Sequence, residues 1–290
     1  MFSPRPSDVT WNKPIARLLR LTRSILRSTV TTTAFEALEP REVLAAVSWD
    51  GGAATANWHD SANWSNDAVP TADDDVTIPV TALASINFTA ATGSRSVNSL
   101  NSAEDLTFSG GTLTVVTTAT TTAPVTLSGA TLSGGAWSPA SIAASAGTLL
   151  NVALAGDITV NTSGTITIAG SATFGVLRLL GGASGLFGPG YVLQSTVRAE
   201  GTGTGVRTVR TTANTTFTVG PTGVIERASG CAGSLTIGTS TMTLSNQGTI
   251  LNNAVGCSLT INAVALTNQG QISCTDATLN LNGTWTSSGS

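Results

Sequence analysis

Residues 234–281 read SLTIGTSTMTLSNQGTILNNAVGCSLTINAVALTNQGQISCTDATLNL, and this stretch decides the fold. Ser234-Leu235-Thr236-Ile237 recurs as Ser258-Leu259-Thr260-Ile261, and a third copy begins at Thr278-Leu279-Asn280-Leu281. Between the copies, Asn246-Gln247-Gly248 recurs as Asn268-Gln269-Gly270, each with an isoleucine two positions beyond the glycine (Ile250, Ile272). The leucines that open the copies, Leu235, Leu259 and Leu279, recur at a step of roughly 20–24 residues, and self-similarity at that spacing marks a solenoid or array. Within each copy the apolar residues alternate with polar ones, which is the period of a strand and not of a helix.

The same alternation runs upstream. Leu106 and Phe108 flank Thr107, Leu113 and Val115 flank Thr114, and Val125 and Leu127 flank Thr126. Ile158 and Val160, Ile166 and Ile168, Leu177 and Leu179, and Phe217 and Val219 repeat the pattern. Gly, Asn or Ser closes most of these runs, which predicts strands of roughly three to five residues. The expected fold is all-β, a parallel β-helix of about ten short turns over 81–290, each turn burying its inward residues on the next. At roughly 4.8 Å per turn the rod would be about 45–50 Å long. GGASGLFGPGY at 181–191 reads as a loop thrown out from one face. The competing architecture is a pair of tandem β-sandwiches, whose strands usually alternate over longer runs with turn signals every 8–12 residues or so. The sequence stops inside a repeat, at Trp285-Thr286-Ser287-Ser288-Gly289-Ser290, as a piece of a longer protein would.

Composition agrees with strands. Charged residues make up 10% of the chain, against roughly 25% in an ordinary globular domain. Lys and Glu, which populate helix surfaces, are replaced by Thr, Ser, Gly and Ala; the β-branched Thr suits a pleated surface. The net charge of −3 is unevenly spread. Six basic groups (Arg5, Lys13, Arg17, Arg20, Arg23, Arg27) stand against one acid in residues 1–33, whereas residues 47–290 carry six Arg and twelve acids. A weakly acidic body is a poor partner for nucleic acid. No apolar run approaches the roughly 18 residues that a membrane-crossing helix needs, so no transmembrane span is expected.

Residues 1–46 read as an export or targeting segment. IARLLRLTRSILR at 15–27 gathers Ile15, Leu18, Leu19, Ile25 and Leu26 on one helical face and four arginines on the other, a pattern suited to a membrane surface or an export machinery. An uncleaved, solvated helix is the alternative. Val43-Leu44-Ala45-Ala46 is a candidate cleavage site. Phe35-Glu36-Ala37-Leu38-Glu39-Pro40-Arg41-Glu42-Val43-Leu44-Ala45 resembles the LEPR-XLL motif near the N-terminus of many large exported bacterial proteins; Leu38, Glu39, Pro40, Arg41 and Leu44 match, and Val43 replaces the first paired leucine. That resemblance implies export and an extracellular or cell-surface location. The Asn-x-Gly corners are also similar to those of filamentous-haemagglutinin-like adhesins, which implies an adhesive β-solenoid.

Residues 47–80 form a Trp-rich lead-in. Trp49, Asp50, Asn57, Trp58, Asn63, Trp64, Pro70, Asp74, Asp75, Val76 and Ile78 resemble the W-D-G-G…N-W…A-N-W…P-x-x-x-D-D-V-x-I opening of repetitive β-rich surface proteins. Trp49, Trp58 and Trp64 are expected to plug the apolar end of a solenoid; the other reading is glycan stacking on exposed indole faces. Asp73, Asp74 and Asp75 are the candidate Ca²⁺ ligands, since hard oxygen donors suit that ion. Three adjacent carboxylates cannot all face one ion, so a solvated loop is the plainer reading, and no cofactor is otherwise expected.

Catalytic patterns are absent from the sequence. His59 is the sole histidine, and neither a Ser-His-Asp arrangement nor a zinc ligand set can be assembled from it and three scattered cysteines. Gly201-Thr202-Gly203-Thr204-Gly205 lacks the following helix of a nucleotide loop. Asp157, Glu200 and Glu226, with Arg178, Arg198, Arg207 and Arg210 close in sequence, are the material from which a polysaccharide-cleaving site would be built; the simpler reading makes them outward-facing residues between buried ones. Cys231 and Cys257 each follow a glycine and lead into the same Ser-Leu-Thr-Ile strand, which predicts that they are neighbours on successive turns and candidates for a disulfide. The function expected is that of a non-catalytic, exported, adhesin-like surface or matrix protein with matrix or glycan partners. A carbohydrate-active β-helix protein is the alternative, favoured if the carboxylates cluster in one surface groove.

Overall fold

A computed structural model describes residues 45–80 and 85–290. The basic segment and the LEPR-XLL-like motif lie outside the described residues, apart from Ala45 and Ala46, which open the first strand, Ala45–Ser48. The described chain forms a parallel β-solenoid of about ten turns, with no α-helix.

The geometry of a turn is visible in one strand. Thr118–Ser133 pairs successively with Ser99–Ser102, Leu106–Phe108 and Thr112–Val115, all parallel. One turn therefore consists of three short strand segments, and the solenoid has three stacked faces. Tandem sandwiches are excluded, because their strands pair antiparallel within each sheet. Thr118–Ser133, Ala136–Leu150 and Ile158–Ala169 are far longer than the short strands expected. They run round the corners, and shifts of register absorb the bends.

The repeat read from the sequence is the register of the ladder. Leu235 pairs with Leu259 and Leu259 with Leu279, while Asn246 pairs with Asn268. The asparagines form an internal hydrogen-bond ladder: Asn246 Nδ2 donates to Asn268 Oδ1 at 2.7 Å, and Asn268 Nδ2 donates to Ser287 Oγ at 3.1 Å. Buried amides need such partners, and the in-register stack of Asn246, Asn268 and Ser287 supplies them to both Nδ2 groups, while Asn246 Oδ1 has none. The glycines after them are dictated by close approach: a Cβ on Gly270 would lie 2.1 Å from the Gly248 carbonyl oxygen of the preceding corner.

Turn length varies more than the C-terminal copies suggest. The step between register partners is short from Ala136 to Ala153 and much longer from Thr196 to Val224. The extra residues of the longest turn go into its corners, chiefly 200–206. The parallel ladder also starts upstream of residue 81, because Ala45–Ser48 pairs with Asp74–Ile78 and Asp74–Ile78 with Ser99–Ser102. The segment at 181–191 is not a protruding loop: Ser184–Phe187 is a ladder strand between Thr165–Ile168 and Thr208–Thr211. Glycine hid it, since Gly185 takes an inward position where a Cβ would press on Leu177 at 3.2 Å.

Inward residues form one continuous core. Ile158, Val160, Leu177, Leu179, Val197 and Ile225 are all fully buried on successive turns. Each such Leu or Ile contributes roughly 1.5–3 kcal/mol through removal from water. Among the described residues no helix is long and apolar enough to cross a membrane.

Candidate functional site

The face built from Ile158–Val160, Val176–Leu179, Thr196–Ala199 and Val224–Arg227 carries the densest charge network of the described residues. Alternation along these strands turns Arg178, Arg198 and Glu226 outward, and register stacks them in that order. Arg178 donates to Asp157 Oδ2 at 2.7 Å and to Glu200 Oε1 at 2.5 Å. Arg198 lies 3.7 Å from the same Glu200 oxygen and donates through Nε to Glu226. The structure thus joins three carboxylates, Asp157, Glu200 and Glu226, that stand far apart in sequence. It leaves Arg210 outside the network, on the strand Arg207–Thr211 of another face.

The electrostatics follow from the pairing. The Arg178 guanidinium holds the Asp157 carboxyl below its usual range; burial opposes this, and the Val176 N–H at 2.8 Å assists. The Arg178 guanidinium is held above its usual range by the hydrogen bond to Asp157, against burial and with Glu200 adding to it. A carboxylate tied to a guanidinium stays ionised near neutral pH and is a poor proton donor.

Two further arginines sit inside the solenoid. Arg207 and Arg227 are completely buried. Their strands explain this, because Arg207 alternates inward with Val209, and Arg227 with Ile225. Backbone carbonyls solvate them in part, leaving Arg207 Nε and Arg227 Nε and Nη1 without a hydrogen-bond partner. Arg207 donates to the carbonyls of Glu200 at 2.6 Å, Gly201 at 3.1 Å and Gly205 at 3.0 Å, and also to Ala232 on the next turn. Arg227 donates to the Cys231 carbonyl at 2.6 Å and to that of Gly233. Each guanidinium closes the glycine-rich corner beside it. The expectation that Arg207 faces outward is thus corrected; the period-two alternation of Arg207 with Val209 and of Arg227 with Ile225 is the signal that could have found both.

The three lead-in tryptophans are buried, at 3% exposure for Trp49, 0% for Trp58 and 1% for Trp64. Their rings pack edge to face, with centroids 5.1 Å apart for Trp49–Trp64 and 4.8 Å for Trp58–Trp64. Trp58 continues the stack onto Phe88 at 5.6 Å, and Phe88 onto Phe108 at 5.6 Å. Glycan stacking on Trp49, Trp58 and Trp64 is thereby corrected, since no ring face is left to solvent. Asn63 organises the segment: its Nδ2 donates to the carbonyls of Thr55 at 3.2 Å and Asn57 at 3.1 Å, and its Oδ1 accepts from the Ala53 N–H at 3.1 Å.

The aspartate run does not converge. Asp73 is exposed, whereas Asp74 turns inward and accepts from the Thr71 N–H at 2.6 Å. Asp75 reaches the next turn, where Ser99 donates at 2.5 Å and Asn98 at 2.7 Å. Those two bonds, Ser99 first, hold the Asp75 carboxyl below its usual range against burial. Strand alternation sends neighbours to opposite sides, so Asp73, Asp74 and Asp75 do not form one Ca²⁺ cage, and no group of three His, Cys, Asp or Glu is arranged for a metal among the described residues.

Cys231 and Cys257 are neighbours, with the Cys257 thiol donating to the Cys231 carbonyl at 3.6 Å. Both are free thiols, as is Cys274. The candidate disulfide is not formed because the two are out of register: Cys231 stands four positions before Leu235, but Cys257 only two before its partner Leu259. No protein-family model, curated protein or solved structure matches this chain.

Proposed function

We propose that this chain is a non-catalytic, exported surface or matrix protein that presents its solenoid faces to an extracellular partner. The observation that carries the reading is the charge network. Asp157, Glu200 and Glu226 are each engaged by arginine, which fits a structural ladder better than an acid–base pair waiting for substrate. A column of another face is uncharged and hydroxyl-rich. Thr165, Ser184, Thr208, Thr236 and Thr260 stack on consecutive turns. A flat array of hydroxyls about 4.8 Å apart suits multivalent contact with a neutral polymer. The basic N-terminal segment and its LEPR-XLL-like motif support export.

A carbohydrate-active protein is the second reading, and one observation favours it: the three carboxylates gather on one face instead of scattering. A panel of pectins, alginates and neutral glycans separates the two readings. Retention of the body on an immobilised polymer without turnover supports the first. Turnover that disappears in Glu200→Gln or Glu226→Gln would establish the second. Fractionation of the native cell tests export, which fails if the full-length chain stays uncleaved in the cytosol.

A further inference from the structure

Arg207 and Arg227 share one corner of the solenoid. Arg207 donates to the Ala232 carbonyl, and Arg227 donates to the carbonyls on either side of it, Cys231 and Gly233. Two completely buried guanidiniums therefore close on the same three residues. Neither has an ion-pair partner among the described residues. The acids nearest in sequence, Glu200 and Glu226, are already engaged by Arg178 and Arg198. The residues stacked on Arg227 are neutral, Ala199 on the turn before and Asn252 on the turn after. Asn252 spends its Nδ2 on the Cys257 carbonyl, and its Oδ1 accepts from the Ala254 N–H.

Carbonyl dipoles accept hydrogen bonds but carry no net charge. Burying a cation without a counter-charge is costly, and two in one corner repel through surroundings that screen them weakly. The remaining donors show where a counter-charge fits. Arg227 Nε and Nη1 and Arg207 Nε are buried without a hydrogen-bond partner, whereas nearly all buried donors in folded proteins have one. Room comes from Ala199, which follows Val160 and Leu179 in its column and is the smallest of the three. An enclosed corner lined by carbonyl oxygens excludes a large or divalent anion. A monatomic, monovalent one needs little space and accepts N–H groups from any direction.

We propose that this corner is an interior halide site. A single chloride accepts from the free Nη1 of Arg227, offsets the charge of both guanidiniums, and is taken up as the chain folds. Water in the same place would satisfy Nη1 but leave the charge uncompensated, and the experiment separates the two.

The full chain is refolded from urea into sodium gluconate and titrated with sodium chloride at constant ionic strength. Screening is then fixed, and only an ion bound to the folded state moves the thermal midpoint. The midpoint should rise by at least about 2 °C over about a hundredfold range of chloride, and bromide should act in the same way. Arg227→Met removes the charge and keeps most of the stem, a change that buried ion sites often tolerate, and it should abolish the shift. Because that variant also strips the Cys231 and Gly233 carbonyls of their donor, a second measurement uses the unaltered chain. Crystals grown after refolding in bromide should show an anomalous peak within hydrogen-bond distance of Arg227 Nη1. A midpoint indifferent to chloride at fixed ionic strength, a shift retained in a folded Arg227→Met, or a corner that holds water and no bromide would each overturn the proposal.

Discussion

Arg178 and Arg198 are register partners on adjacent turns, and the Glu200 carboxylate lies between them, 2.5 Å from the first and 3.7 Å from the second. Like charges directly opposite each other in a sheet are destabilising, and Glu200 converts that repulsion into a bridge. Glu200→Gln should lower stability by about 1 kcal/mol, the upper range for partly exposed pairs. Arg198→Ala should then cost less in the Glu200→Gln background than alone. Urea unfolding of the four proteins in this cycle measures the coupling, and strict additivity would show that the bridge contributes nothing.

Acid sensitivity should follow from the depressed carboxyls of Asp157 and Asp75. A carboxyl held lower in the folded state contributes stability that is present above its unfolded value, about 3.9, and is lost as pH falls through its folded value. The unfolding midpoint should therefore be flat near neutral pH and decline below about pH 4. Asp157→Asn should flatten that decline; an unchanged acid limb in the variant would remove Asp157 from the explanation.

Tyr191 is the only tyrosine, so its titration is free of overlap. Its hydroxyl donates to the Ala172 carbonyl at 2.7 Å, and burial pushes its pKa up to about 12. The neutral phenol is favoured in the folded state, so the stabilisation is complete below about pH 10 and is lost as pH rises towards the folded value. Ultraviolet absorbance should show little phenolate until the protein approaches unfolding, and a midpoint near 10 in denaturant. A native midpoint near 10 would mean the ring is not buried.

Trp58→Ala should cost about 3–5 kcal/mol, as for other large-to-small changes in a packed core. The lead-in would lose its contacts to Trp64 and Phe88 together. Limited proteolysis should then cut first within 50–73. Cutting elsewhere, or a loss below about 1 kcal/mol, would contradict the plug.

Thiol counting should give three free cysteines in denaturant. In the native protein Cys231, at 4% exposure, should be the slowest to react. A mass two hydrogens below the reduced value, with a peptide linking Cys231 to Cys257, would show that the corner relaxes enough to close the bond.

Much of the architecture was legible because a solenoid writes its register into its repeat. The Leu235, Leu259 and Leu279 positions are neighbours in space for the same reason that they recur in sequence: each must cover the one before. Strands were missed where the side chain that reports burial was absent, as at Gly185, and strand length was underestimated where the ladder runs on through the corners, as in Thr118–Ser133 past Pro124 and Gly129. The charge network was half legible. Alternation put Arg178, Arg198 and Glu226 on the outside, but which charges meet depends on the lengths of the turns between them.

The sequence by itself determined the class, the parallel repeat and most of the apolar inward set, because period-two alternation and a recurring segment are local properties of the chain. Tertiary structure decided what varies with turn length. The long turn between Thr196 and Val224 brings Arg198 onto Glu226. The offset in register between Cys231 and Cys257 keeps their thiols apart. Backbone carbonyls at the glycine corners allow Arg207 and Arg227 to remain inside. No local pattern encodes such offsets, since each is the sum of every residue spent on the corners in between.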